Sequence, residues 1–436
     1  MPSTWTQETI LALAPDSGVA KSGKGLATPR KWPALGRTDQ ALWGECKGSA
    51  KEPYQVAVDL NGPAFKCNCS SHKRPCKHAL GLFLMLDTLT LNQPPQWLSD
   101  WLAARAKRAE KLVQKKDDAP VVDVAAQTER ATERLAKVNA GLQELELWLR
   151  DLTRRGLADA QSQPAKFWET PAARLVDAQA PGLARLVRDM AGIPASGAGW
   201  QERLLERMGQ LHLILEGFKR IDSLPADTQA DIRALIGWTR DKAELTSEPS
   251  VHDRWLVVGR RVEDEGRLRQ QRLWLIGQTI GRTALILDYA VTNQTFETSL
   301  LPGIALDADV VFFPSAYPLR AFLRSRRSGE HATVEALPAH SSIAAAIEAY
   351  SSALTRNPWI EQFPLAVQSV IPIQVESGWL LRDSANHVLP IATRFEHHWS
   401  LLALSGGHPL TVFGEWDGEA LLPLSAFVDG RFVSWK

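Results

Sequence analysis

Residues 67 to 78 read CNCSSHKRPCKH, which places three of the four cysteines of a 436-residue chain, and two of its ten histidines, within twelve positions. Cys67 and Cys69 are two apart, and residues i and i+2 of an extended backbone point to the same side, so both sulfurs reach one point. Cys76 and His78 follow after six residues, where Pro75 suits the opening of a helix and the apolar run HALGLFLML (78–86) begins. Upstream, PYQVAVDL (53–60) alternates, meets the turn signal Asn61-Gly62-Pro63 and resumes in extended style as AFKCNC. The unit is strand, turn, strand, loop, helix. Three thiolates and one imidazole closed by a loop and a helix start match a tetrahedral structural zinc site, with a local charge of about −1. Lys66, Lys73, Arg74 and Lys77 surround that charge.

Two other readings compete. Free cysteines are usually core residues, but Asn68, Ser70, Ser71, Lys73 and Arg74 are not core company. A redox pair favours Cys-x-x-Cys at a helix start, which is not the spacing here. His72 is a rival ligand whose mid-loop place points it to solvent. Cys46, well upstream in LWGECKGS, reads as a buried thiol and not a fifth ligand.

The pattern C-x-C-x6-C-x-H, preceded by a hairpin and followed by an apolar helix, resembles the SWIM zinc finger. The stretch from LAPDSGVAKSGKG (13–25) to CNC (67–69) is similar to the N-terminal half of a bacterial SWIM zinc finger protein family, and the resemblance extends over residues 1 to about 95. It implies Cys67, Cys69, Cys76 and His78 as zinc ligands. It also implies binding to DNA or protein in place of an established reaction. Members are typically encoded beside a MoxR-type AAA+ ATPase and a von Willebrand factor A domain protein, which makes these the expected partners.

Composition sets the frame around the finger. The chain is long enough for two or three domains, and 44% hydrophobic with 23% charged residues is the balance of an ordinary globular protein. Fifty basic against forty-nine acidic residues give no global case for nucleic acid or an anionic membrane. Glu8 and Asp16 sit where a signal peptide would be apolar or small, the longest apolar run is about half of a ~20-residue membrane span, and four cysteines do not make a disulfide framework. A cytoplasmic protein is expected.

Along the chain, short strands and loops are expected to about residue 66, then the finger (about 53–90) within an N-terminal module, 1–101. Lys- and Ala-rich residues 102–123 read as a linker that begins as a frayed helix. Leu135, Val138, Leu142, Leu145, Leu149 and Leu152 recur on one helical face, and Pro164, Pro171, Pro181, Pro194 and Pro225 punctuate a helical domain over 124–250. From 251 to 436, RWLVVGRRV, RLWLIGQTI and TALILDYAV read as antiparallel strands, SSIAAAIEAYSSAL (341–354) as a helix, and GWLLRDSANHVLPI and GEWDGEALLPLSAFVDGRFVSW as hairpins. The fold class is α+β multidomain: a small zinc finger module, a helical middle domain and a mostly antiparallel C-terminal domain with few helices.

Outside the finger no catalytic signature stands out: the chain has no G-x-x-x-x-G-K-[ST], H-E-x-x-H, G-x-S-x-G or G-x-G-x-x-G. A non-enzyme is expected. His397 and His398, adjacent in a presumed strand, point to opposite faces and do not converge on one ion. Trp32, Trp43 and Trp97 near the finger suit core packing more than base stacking, and the basic runs at 111–116 and 324–329 read as solvated charge. One local feature differs. From residue 17 to 37 there is no acidic residue, and Lys21, Lys24, Arg30 and Lys31, joined by Lys73 and Arg74, would make a basic face. That face suits an acidic protein surface or, alternatively, nucleic acid.

Overall fold

The structure is a computed structural model that describes residues 5, 7–48, 52–60, 64–71, 73–114, 124–265, 268–291, 296–298, 300–327 and 332–435. It is α+β, with a strand-rich N-terminal module, a helical middle and a C-terminal part built on antiparallel sheets.

The N-terminal module opens with two helices that the sequence reading had as strand or loop, α1 (Gln7–Ala12) and α2 (Ser17–Leu26). Strands β1 (Ala34–Arg37), β2 (Ala41–Cys46), β3 (Tyr54–Asp59) and β4 (Ala64–Cys67) then form an antiparallel meander, followed by α3 (Lys77–Phe83) and α4 (Gln96–Gln114). The expected hairpin is β3–β4, pairing Val58 with Phe65 and Val56 with Cys67. Its Asn61-Gly62-Pro63 turn lies outside the described residues. Period-two alternation serves both faces of this sheet: Leu42, Val56 and Val58 pack on Leu80, Leu82 and Phe83 of α3, while Ala41, Trp43 and Ala57 meet Leu98 of α4. The linker expected over 102–123 falls partly on α4, and residues 115–123 lie outside the described ones.

Helices α5 (Val124–Arg155), α6 (Ala165–Asp177), α7 (Pro181–Met190), α8 (Trp200–Lys219) and α9 (Ala226–Ile236) make the helical part. The α5 stripe of Val138, Leu142, Leu145, Leu149 and Leu152 is buried as expected, but Leu135 is exposed, as residues 132–137 around it are, because it precedes the part of α5 that enters the bundle core at Val138. Pro164 and Pro225 cap α6 and α9 and Pro181 opens α7. Pro171 instead lies inside α6, held there by the burial of Trp168, Ala172 and Leu175 around it.

The C-terminal part begins with β5 (Val251–Glu265), β6 (Leu268–Gly277), β7 (Thr283–Val291), β8 (Ile304–Phe312), β9 (Arg320–Arg326) and the short β10 (Ala332–Thr333). Strands β5, β6 and β7 are an antiparallel meander, as read from their sequences. Strand β8 returns beside β5, and β9 pairs antiparallel with β8 and parallel with β7. The ring β5-β6-β7-β9-β8 is a closed five-stranded Greek-key barrel, filled by Trp255, Val257, Leu273, Leu275 and Ile286.

Helix α10 (Ile343–Arg356), capped by Ser342, leads into β11 (Phe363–Val375), β12 (Gly378–Arg382), β13 (Val388–Pro390), α11 (His398–Ser405), β14 (Leu410–Trp416), β15 (Leu421–Val428) and β16 (Arg431–Ser434). These strands form a second antiparallel sheet in the order β13-β12-β11-β14-β15-β16. The outward side chains of the barrel, Leu256, Val258, Trp274, Ile276 and Leu285, share one core with it. The presumed strand at RFEHHWS is instead the start of α11, with His397 as its cap.

Glu415 of β14 lies in that shared core with no exposed surface, accepting hydrogen bonds from Arg272 (2.6 Å), Arg261 (2.8 Å) and the Trp274 indole (2.8 Å). Burial pushes its pKa up, but the Arg272 charge and the three donors outweigh it, and the group stays below the usual carboxylate value. Glu415→Gln is expected to cost about 3–5 kcal/mol at neutral pH, since it leaves Arg272 without its carboxylate and Arg261 with Glu263 alone. A depressed folded pKa means that the contribution is complete above about pH 4.3 and is lost as pH falls through the lower folded value. Urea midpoints of parent and variant should therefore converge in acid; equal midpoints at pH 7 would contradict this assignment.

Candidate metal centre

The four candidate ligands come from three local structures. Cys67 ends β4, Cys69 follows two residues on, Cys76 is the N-cap of α3 and His78 lies in its first turn. The sequence placed Cys76 inside the helix. It stands one residue before it, and its sulfur accepts the Ala79 N–H at 3.5 Å, as an N-cap side chain does. One donor atom from each of Cys67, Cys69, Cys76 and His78 lies within 4.8 Å of all the others, and Cys67 Sγ is 3.9 Å from His78 Nδ1. Zinc bonds of ~2.3 Å to sulfur and ~2.0–2.1 Å to nitrogen put tetrahedral donors roughly 3.5–3.8 Å apart, so the four residues fit this ion. Cys76 and His78 are buried, and the Tyr54 ring packs on His78 with centroids 4.8 Å apart.

The electrostatics of the set suit a cation. A hydrogen bond from Cys67 holds the Cys76 pKa down to about 3 against the effect of burial, with His78 and the Ala79 N–H adding to it. Cys67, the donor in that pair, is pushed up by the same hydrogen bond and by burial. A divalent ion takes the place of that shared proton, because thiolates bind it and thiols do not. Zinc is thus the cofactor this site holds, with all four positions filled by protein. Cys46 is buried in β2, outside the cluster, and burial raises its pKa. His72 lies outside the described residues.

The helix α2 was missed because SGVAKSGKGL has low intrinsic propensity. Asp16 caps it by accepting the Val19 N–H at 2.8 Å, and that acidic residue three before an apolar one was the available signal. Its glycines serve packing. A Cβ on Gly23 would meet Leu80 Cδ2 at 2.7 Å, and one on Gly81 would meet Leu26 Cβ at 2.8 Å, so α2 and α3 touch backbone to backbone. The helix behind Cys76 and His78 is thereby clamped from outside the finger.

The residues of the expected basic face have separate fates. Lys73 pairs with Asp16 at 2.6 Å, Arg74 donates to the Ser71 carbonyl and Lys31 to the Gly25 carbonyl, while Lys21, Lys24 and Arg30 are exposed. Lys66 lies over the Trp97 ring. Trp32 and Trp43 are core fillers. Arg324 donates to the carbonyls of Leu245 and Glu248, and the side chains of the 111–116 run lie outside the described ones. His398 stacks on Trp379, and neither it nor His397 joins a metal-capable group among the described residues.

Residues 54–87 match the family model of the SWIM zinc finger, and residues 133–236 that of the SWIM-associated four-helix bundle domain. The second range takes in most of α5 and all of α6 to α9. No curated protein and no solved structure matches. The chain therefore carries a SWIM zinc finger followed by its associated bundle.

Protein purified without chelators should contain one zinc per chain by plasma mass spectrometry. Cys76→Ser should release it and remove hydrogen-exchange protection from the amides of Leu80 to Phe83, because a closed site supplies folding free energy locally. Protection in α8 should not change. Full zinc content in the variant would contradict the ligand assignment.

Proposed function

We propose that this chain is a non-enzymatic adaptor whose SWIM module docks a partner protein, while the bundle and the C-terminal part serve as scaffold. The partner pair suggested by the family resemblance is a MoxR-type AAA+ ATPase with its von Willebrand factor A companion, in the cytoplasm. A zinc ion with four protein ligands has no open position for substrate, which supports a structural role for the metal. No described helix is long and apolar enough to cross a membrane.

The observation that carries the protein reading is the charge pattern beside the finger. A groove of about 550 Å³ runs between α2 and the loop from Cys69 to Lys73, lined by Asp16, Ser22, Tyr54, Ser70, Lys73 and Lys77. A carboxylate and hydroxyls share it with two lysines, one of them already paired. Phosphate tracking needs several free cations in a row. Mixed charge and hydroxyls suit a polar protein surface.

The test is a tagged pull-down with and without nuclease, combined with a salt titration of duplex DNA binding. Partner capture should survive nuclease and weaken in the Lys73→Ala/Arg74→Ala double variant, with zinc retained. DNA should bind no tighter than about 10⁻⁶ M at physiological salt. Tighter DNA binding that falls steeply with salt and is lost in the double variant would establish the nucleic-acid alternative instead.

A further inference from the structure

A second cleft, remote from the zinc, lies where α9 meets the barrel. It has a volume of about 570 Å³, within the range of small-molecule sites. Its walls are aromatic: Trp238 follows α9, Phe313 and Tyr317 lie on the β8–β9 connection, and Trp359 precedes β11. Here the neighbouring β6–β7 face is buried under the second sheet, which leaves the loop end as the open part.

Three of the charges lining the cleft are matched by ion pairs. Arg272 is held by Glu415, Arg240 by Glu244 and Glu248, and Glu361 by Arg185 and Arg207. Asp231 accepts the Ala316 N–H at 2.8 Å. Among the described residues Asp227 and Arg233 of α9, also at the cleft, make no ion pair, and neither does Arg320. Arg320 is the one set against an aromatic wall, its guanidinium over the Phe313 ring at 4.3 Å. Partial burial lowers its pKa. Gln362 also lines this cleft, and its side-chain oxygen is buried with no donor among the described residues.

We propose that this cleft binds a small aromatic monocarboxylate, its ring between the aromatic walls and its carboxylate on Arg320. The guanidinium of Arg320 beside the aromatic wall calls for a negative charge. A phosphate dianion would add charge beside the carboxylates of Asp231 and Glu361. The bidentate fork of Arg suits a carboxylate. This inference is independent of what the finger docks.

The probe is 2-naphthoate, titrated into the full chain by calorimetry and by quenching of tryptophan fluorescence, with neutral 2-naphthamide and 2-naphthyl phosphate as comparisons. The expected result is one saturable site on the order of 0.1–1 mM, with both comparison compounds weaker by about tenfold or more. Arg320→Gln should remove that preference over the amide, and Ala230→Phe, which fills the cleft from α9, should abolish binding of all three. Circular dichroism of both variants checks their fold. Absence of saturable naphthoate binding by the parent chain, equal affinity for naphthoate and naphthamide, or unchanged naphthoate affinity in both folded variants would each overturn the proposal. A preference for the phosphate would overturn the monocarboxylate assignment.

Discussion

Convergence of four side-chain donors on one point is the constraint from which the N-terminal module follows. Cys67 and Cys69 reach that point only if β4 is extended, and Cys76 and His78 only if a helix starts between them. The metal thereby fixes the angle between the β3–β4 hairpin and α3. Once α3 is set, its apolar residues must be covered, and the sheet covers one side of them. The other side takes α2 at a distance that only glycine at 23 and 81 permits. Asp16 then belongs to both structures, capping α2 and pairing with Lys73 of the finger loop.

A different device joins the two C-terminal sheets. Packing the barrel's outer face on a second sheet buries aliphatic side chains from both, and such a layer has no inherent register. Glu415 supplies one. Its oxygens accept from β5 and β6 at once, so sliding either sheet would leave a buried carboxylate without its donors and Arg272 without its carboxylate. A buried ion cluster is a weak source of net stability but a strong penalty on wrong arrangements. The same packing takes the β6–β7 face of the barrel out of use and leaves the β8–β9 loop at the contact with α9.

That contact is built from polar anchors around an apolar rim. The Trp359 indole donates to the Gln210 carbonyl of α8, Asp231 of α9 holds the Ala316 N–H, and Arg207 reaches Glu361. Bundle and barrel therefore meet around the cleft instead of closing over it. The finger and the cleft are separate in chemistry as well: one is a closed metal site with polar surroundings, the other an aromatic hollow with an arginine against one of its rings.

The sequence by itself determined whatever depends on neighbours within a few residues. Ligand spacing, the β3–β4 hairpin, the α5 stripe from Val138 to Leu152, the Ser342 cap of α10 and the strands of the β5–β7 meander are local periodicities, and these were legible. The tertiary structure decided what depends on partners far along the chain. Helix α2 has too many glycines to be favoured alone and forms because α3 accepts it; Leu135 matches its stripe and is exposed because the bundle core begins only at Val138. Lys73 and Arg74 look like free charge until Asp16 and the Ser71 carbonyl are found beside them. The barrel closes through a parallel β7–β9 pair that no local pattern announces. Arg320 reads as one arginine among many, and its place at an aromatic cleft exists only once α9 and the β8–β9 loop have come together. Periodicity records which face of an element is apolar, whereas burial and charge matching are properties of two elements in contact.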